Sequence, residues 1–439
     1  MGRFLGFSMV LGAAVGWFGA GAANANGLPQ TGQTKCYDAA GAEEDCETGT
    51  VPGQDGFYGA GGCATNGVRF VDNGDGTVTD RCTGLMWSQD VDTTGDGNSD
   101  GGDLLLWCDA LAFCEGLTKA GHSDWRLPNI FELESIVDRS RVNPALDPVF
   151  EVAAGGGGDG QQRTWGSHMH TRDQVAFVHF NTGAMGTWAS FGGKLYNVRA
   201  VRTIYTPIIA GNGDTNGDGV IDLSDAIYEL QFLFSGSDPI VPTACLLPKT
   251  GKTRCFDDGP EPSPEIDCAD AGEDCFGQDG YYQKGNGGPA RYIDNGDGTI
   301  TDTVTGLDWT KAHVDLTGDG VIATDSSDAK DWATALAACE ALDFAGHTDW
   351  RMPNVREQMS IFTHNPPDGG FSTSTLDPIF DNPPGVFSGE NFIWTSTTLT
   401  ALPSVAIVFG TFQKFVLPED VNKSFLRATR ACRGGVTQN

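Results

Sequence analysis

The feature that most constrains this chain is a duplication. Residues 69–87, RFVDNGDGTVTDRCTGLMW, return at 291–309 as RYIDNGDGTITDTVTGLDW, and residues 120–129, AGHSDWRLPN, return at 345–354 as AGHTDWRMPN. The spacing between matching segments moves only from 222 to 225 residues, so one module is present twice in the same order. Each copy also has a leader: LPQTGQTKCYD at 28–38 and LPKTGKTRCFD at 247–257, followed by GQDGFY at 53–58 and GQDGYY at 277–282. The chain divides into an N-terminal segment (1–25), a cysteine-containing leader (26–66), a first module (67–204), a linker (205–243), a second leader (244–288) and a second module (289–435).

Within a module the hydrophobic period sets the elements. Arg69-Phe70-Val71 and Thr77-Val78-Thr79 alternate around Asn73-Gly74-Asp75-Gly76, residues that tolerate positive φ, so this segment predicts a β-hairpin with its aspartates as turn formers. Apolar residues at helical spacing predict a first helix within Leu104–Leu117 and within Asp328–Leu342, where Trp332, Leu336 and Cys339 share a face. A second helix should start after Asn129 and Asn354, with Glu132 and Glu357 completing capping boxes. Strands follow near Val175–Phe180 and Val405–Phe409, and each copy ends on a basic strand holding Arg199 and Arg202, or Arg430 and Arg433. The fold class expected is α+β, two helices with β-hairpins in each of two modules.

Compartment is read from the start of the chain and from cysteine. Arg3, the apolar stretch Phe4–Phe18 and Ala23-Asn24-Ala25 form a secretory signal pattern with cleavage expected after Ala25. The apolar run is shorter than the roughly 20 residues a bilayer requires, and no later segment is apolar enough to span. Twelve cysteines in an exported chain point to disulfides, with Cys36–Cys46 and Cys255–Cys268 as leader bridges and Cys245–Cys275 as a further local pair. Cys108 is expected to pair with Cys63 or Cys82, or with Cys114 if the first helix begins after Cys108. The location implied is secreted, periplasmic or cell-surface. A formal charge of −31 repels nucleic acid and anionic membrane surfaces and makes divalent cations natural counterions.

The acids are patterned in the linker. Asp214, Asn216, Asp218, Val220 (by its carbonyl), Asp222 and Asp225 fill positions one, three, five, seven, nine and twelve of a calcium loop, with Gly219 at the turn. Hard oxygens converging around a tight turn suit calcium. Asp92, Thr94, Asp96, Asn98, Asp100 and Asp103 repeat the spacing inside the first module. Its counterpart beginning at Asp315 loses position nine to Ala323 and position twelve to Ser326. Aspartate at position twelve, followed by a helical segment from Ala226 to Phe234, makes the Asp214 loop resemble a single dockerin type I repeat.

The hairpin, the GHSDWRLPN segment, a Trp-x-Ser at Trp165 and Trp394, and the terminal arginine strands resemble the Legionella collagen-like protein C-terminal (Lcl C-terminal) domain family across most of 67–204 and 289–435. The Arg-Leu-Pro-Asn start also resembles sulfatase-modifying enzymes, which implies C-type-lectin-like modules. That likeness implies a long bridge from Cys339 on the first helix to Cys432 on the last strand; in the first copy Val201 stands in the place of Cys432. The family resemblance implies extracellular ligand binding; with His122 and His347 in equivalent turns and no equivalent cysteine pair in both copies, the chain is read as a non-catalytic binding or adhesion protein for glycan or another surface ligand. Alternatives are an accessory protein of a polysaccharide-degrading system, an enzyme, or a structural surface component. Candidate ligand residues are Trp165, Ser167, His168, Arg172, Trp394 and Ser396. A sulfated glycan would need a local basic patch, for which Arg163, His168, His170, Arg172 and Lys194 of the first copy and Lys414, Lys423, Arg427 and Arg430 of the second are the candidates, against the alternative that they are ordinary surface charges and paired strand arginines.

Overall fold

The structure is a computed structural model and describes residues 28–58, 69–153, 162–171, 174–189, 193–204, 247–258, 263–285, 287, 291–319, 328–363, 376–381, 392–410 and 418–434, with the side chains of 168, 170–171, 187–189 and 418–420 also left undescribed. The expected signal peptide and the Asp214 calcium loop lie outside the described residues.

Both hairpins form as read. In copy one Phe70–Asp72, Thr77–Asp80, Leu85–Ser88 and Val201–Thr203 make a four-stranded antiparallel sheet in that order. In copy two Tyr292–Asp294, Thr299–Asp302, Leu307–Thr310 and Cys432–Gly434 repeat it. Trp87 faces Val201 and Trp309 faces Cys432 in the same register. A three-stranded sheet follows in each copy, Arg163–Thr171, Gln174–His179 and Ala184–Ala189, or Phe392–Thr398, Val405–Gly410 and Pro418–Asn422. Helices Trp107–Gly116 and Trp332–Glu340 bury one face, and helices Ile130–Ser135 and Val355–Ser360 begin at the two capping boxes. The architecture is α+β, with short helices among several small sheets.

The two copies share a core. Val78, Trp87, Ile130 and Leu133 of copy one join Ile300, Trp309, Val355 and Met359 of copy two in one buried cluster. Arg356 crosses that seam, its Nη2 donating to the carbonyls of Glu134 (2.7 Å) and Val137 (2.6 Å). Its Nη1 donates to Pro29 and Gln30 of the first leader.

The leaders are exchanged. Leader two packs on copy one, where Phe256 and Cys275 enter a core with Trp107, Leu111, Trp125 and Trp165. Leader one packs on copy two, where Val51 joins Trp332, Leu336, Trp350 and Trp394. The leaders are built alike. Gln54 Oε1 accepts from the Tyr37 amide and its Nε2 donates to the Val51 carbonyl, both at 2.8 Å; Gln278 makes the same pair of bonds to Phe256 and Cys275. A Cβ on Gly56 or Gly280 would overlap the carbonyl of Lys35 or Arg254, so the chain can close there only through glycine.

Disulfides Cys36–Cys46 and Cys255–Cys268 form as expected. The rest need correction. Cys275 pairs with Cys108, 167 residues away, and not with Cys245, because leader exchange brings it to the start of the first helix of copy one. Cys82 is also disulfide-bonded. Cys339 and Cys432 are buried thiols without the bridge that the lectin likeness implied: the Cys339 sulfur lies 4.0 Å from Thr429 Oγ1, and that of Cys432 is directed at Glu357 Oε2. Cys114 is likewise a buried thiol.

Candidate functional site

The recurrent segment DWRLPN or DWRMPN organises the junction between each module and the leader it receives. Its tryptophans, Trp125 and Trp350, are buried, and their Nε1 atoms donate to turn carbonyls of Lys119 and His122, or of Phe344. Its arginines are buried beside the helix start, where Arg126 binds both oxygens of Glu132 (2.7 and 2.5 Å) and Arg351 both oxygens of Glu357 (2.6 Å each). Each glutamate also accepts the amide of its N-cap asparagine, at 2.8 Å from Asn129 and 2.9 Å from Asn354. One carboxylate thus closes a capping box and neutralises a buried guanidinium, which is how that charge is tolerated away from water.

On this platform the leader lays a tyrosine. The Tyr282 ring sits under Arg126, and its hydroxyl donates to Glu115 at 2.8 and 2.9 Å; Tyr58 stands in the same relation to Arg351 and Glu340, at the same distances. Burial raises the pKa of Glu115 and Glu340 against the pull of those tyrosines and arginines. Beside them lies a buried aspartate from each leader. Asp55 accepts from Thr31 and Thr397, both at 2.7 Å; Asp279 accepts from Thr250 and from Asn129. Burial pushes both carboxyls up to about 6, with the hydroxyl donors opposing it. The leaders also meet buried lysines. Burial lowers Lys423 to about 7, where it covers the Trp332 ring at 3.8 Å and donates to the Asp38 carbonyl, and lowers Lys252 of leader two to about 8.

The candidate ligand residues lie elsewhere and mostly inside. Trp165 and Trp394 are 1 % and 0 % exposed, and their Nε1 atoms donate to the carbonyls of Leu105 and Lys330 at 2.9 and 3.0 Å. Ser167 and Ser396 are buried beside them. A ring closed in the core has no face for a surface sugar, so in this fold these four residues are packing residues, the usual fate of recurring aromatics. Arg172 and the side chain of His168 lie outside the described residues.

The basic patch of copy two does not assemble either, because Lys423 and Arg430 are buried. Arg430 is held by the carbonyls of Thr310, Lys311 and Asp381, and Arg199 by those of Ser88, Gln89 and Glu151. Of the other members, Arg163 lies against the rings of Phe177 and Tyr196, Arg427 against Phe392, and Lys194 is exposed; His170 and Lys414 have no described side chains. Arg202 and Arg433 pair with Asp124 and Asp349 at 2.7 Å.

In the Asp92 loop the acids are engaged by the backbone. Asp103, 1 % exposed, accepts from the amides of Thr93, Thr94 and Asp100, at 2.9, 3.0 and 2.8 Å. Asp92 accepts from Gly95 and Gly97, and Asp96 from the backbone and side chain of Asn98. Asp100 caps the following turn through Gly102, and the Thr94 hydroxyl donates to Asp92. Among the described residues, no three acidic side chains of this loop bring oxygens within 4.8 Å of one another. In copy two Asp328, not Ser326, takes the part of Asp103, accepting from Leu316 and Thr317. The second loop is therefore longer than equal spacing implied.

Residues 76–202 and 298–430 match the Lcl C-terminal domain family, together more than half of the chain. The chain belongs to that family. No curated protein was found to match it. In this tandem Lcl C-terminal domain protein both leaders fall outside the matched stretches, while the residues they dock on, Glu115, Arg126 and Glu132 or Glu340, Arg351 and Glu357, fall inside them. No helix among the described residues is long and apolar enough to cross a membrane. Sequence reasoning missed Tyr58, Tyr282, Glu115, Glu340, Asp55 and Asp279. The signal available was their recurrence in both copies, within GQDGFY and GQDGYY and at the end of each first helix.

Proposed function

We propose that this chain is an extracellular, non-catalytic binding protein for carbohydrate or another surface ligand, built on two lectin-like modules. The observation that carries the reading is where its unusual acids are used. Shifted carboxyl groups often mark catalysis, but Asp55, Asp279, Glu115 and Glu340 face leader contacts: each is hydrogen-bonded to a hydroxyl or amide across a leader–module junction. They hold the molecule together instead of converging on an open cleft. Family membership and disulfide-fastened leaders agree with work outside the cell, in periplasm, medium or at the surface.

Calcium is assigned to the dockerin-like Asp214 loop, whose six ligand positions are filled in sequence. Binding at the Asp92 loop requires Asp103 to exchange its three backbone amides for the ion. Screening the full-length chain on a glycan array with and without calcium tests the reading. Saturable binding to a defined glycan set is expected. Turnover of a glycan overturns the non-catalytic reading, and no glycan bound under either condition overturns carbohydrate as the ligand.

A further inference from the structure

A cavity of about 170 Å³ opens on copy one, away from both leader junctions. For scale, an engineered cavity of roughly 150 Å³ accepts a benzene ring. Among the described residues its polar lining is Asn143, Gln162, Thr164, Asn181 and Asn197, and Phe180 and Val91 form part of an apolar wall. Thr164, Asn197 and Phe180 are buried and make the floor, while Asn143 is exposed at the rim.

The lining is held by backbone bonds. The Asn143 amide donates to the Asn181 carbonyl and the Phe180 amide to the Gln162 carbonyl, both at 2.8 Å, and the Asn197 amide donates to Arg163 at 2.9 Å. A pocket fixed in this way loses little freedom when it is filled. A side-chain amide offers two donors and one carbonyl acceptor, which matches hydroxyl groups that both give and take hydrogen bonds. None of the described lining residues carries a carboxylate. Among the described lining residues the one cation, Arg199, is committed to the carbonyls of Ser88, Gln89 and Glu151.

Copy two supplies the contrast. The bridge between Thr164 and Asn197 is repeated there between Ile393 and Ala428, so the same backbone carries two apolar side chains. At these two described positions the polar pair is found in copy one and an apolar pair in copy two. We infer that this cavity is a binding site for one neutral saccharide ring, its hydroxyls on the amides and its C–H face on the more open apolar wall of Pro144, Val152 and Ala153. This rests on the carbohydrate reading above and names a site for it. A neutral sugar also avoids the repulsion that a chain of charge −31 imposes on sulfated or uronic glycans.

The test uses the full-length chain with the methyl glycosides of glucose, galactose, mannose and N-acetylglucosamine, and with glucuronate as the charged probe. Binding is followed by saturation-transfer NMR and calorimetry. The double variant Thr164→Ile/Asn197→Ala installs the pair that copy two already carries, so folding should be preserved and is checked by an unchanged melting temperature. Asn143→Ala, at the exposed rim, is the second variant. At least one neutral glycoside should bind the wild type, with affinity falling about tenfold or more in the double variant and by less in Asn143→Ala. Failure of every neutral glycoside to bind, or binding of glucuronate alone, overturns the inference. So does glycan-array binding that survives both variants, although that outcome leaves the broader carbohydrate reading standing.

Discussion

The two leader junctions are built on one plan and differ in one fastening. Leader two is joined to copy one by Cys108–Cys275. Leader one presents Val51 where leader two has Cys275, and copy two has Ala333 where copy one has Cys108. Ala333 packs against the apolar cluster that holds Val51, so this junction has apolar packing where the other has a covalent bond. The tyrosine clamp, the arginine–glutamate pair and the glutamine brace are otherwise matched. The shared residues set where a leader docks, and the cysteine pair sets whether it can leave.

The largest effects should come from what both junctions share. Glu132→Ala and Glu357→Ala each strand a buried arginine and open a capping box, so each is expected to cost about 3–5 kcal/mol in denaturant unfolding. A near-zero cost on one side would break the symmetry of the plan. Removing the staple with Cys108→Ala/Cys275→Ala should cost about 2–4 kcal/mol, and installing it with Val51→Cys/Ala333→Cys should stabilise by a similar or smaller amount.

A subtler pair separates docking from release. Tyr58→Phe leaves the half-buried Glu340 without its hydroxyl donor, at about 1–2 kcal/mol. Hydrogen exchange should then rise across residues 29–58. Tyr282→Phe makes the same cut, but the Cys108–Cys275 bond should keep leader two protected. Equal loss of protection in both leaders would show that the disulfide is not what distinguishes them.

The smallest effect expected is on pH dependence. Asp55 and Asp279 sit near 6 in the fold against an ordinary 3.8, so the folded chain holds the extra protons. Their contribution is full below about 4 and is lost as pH rises through 6. Lys423 and Lys252 are lowered to about 7 and about 8, so the fold disfavours their charged forms, and stability recovers as pH climbs above those values toward the ordinary lysine range. Thermal melting should pass through a minimum between about 6 and 8, and Asp55→Asn should remove roughly half of the fall between pH 4 and 6. A wild-type profile flat across that range would contradict this placement of the charges.

Local structure was legible in the sequence because local chemistry decides it. Asn73–Gly76 and its repeat specify hairpins, Asn129 with Glu132 specifies a helix start, and Cys36 and Cys46 need only a two-strand turn to meet. The candidate site was much less legible. Trp165 and Trp394 read as exposed platforms or as core with equal ease, since burial depends on strands distant in sequence. Exchange of leaders was hidden for a different reason. In a duplicated chain Tyr58 can meet Glu115 or Glu340, and either choice leaves the same recurring residues. Only the unmatched positions break the tie. If each leader docked on its own module, Cys108 would face Val51 and Cys275 would face Ala333, leaving both thiols without each other; exchange pairs them.

That bond offers the most direct test of the exchanged architecture. Protein purified with its disulfides intact is digested without reduction, and the linked peptides are identified by mass spectrometry. A peptide carrying Cys108 joined to one carrying Cys275 is the predicted result. Cys275 joined to Cys245, or Cys108 joined to Cys63, Cys82 or Cys114, would contradict the exchange.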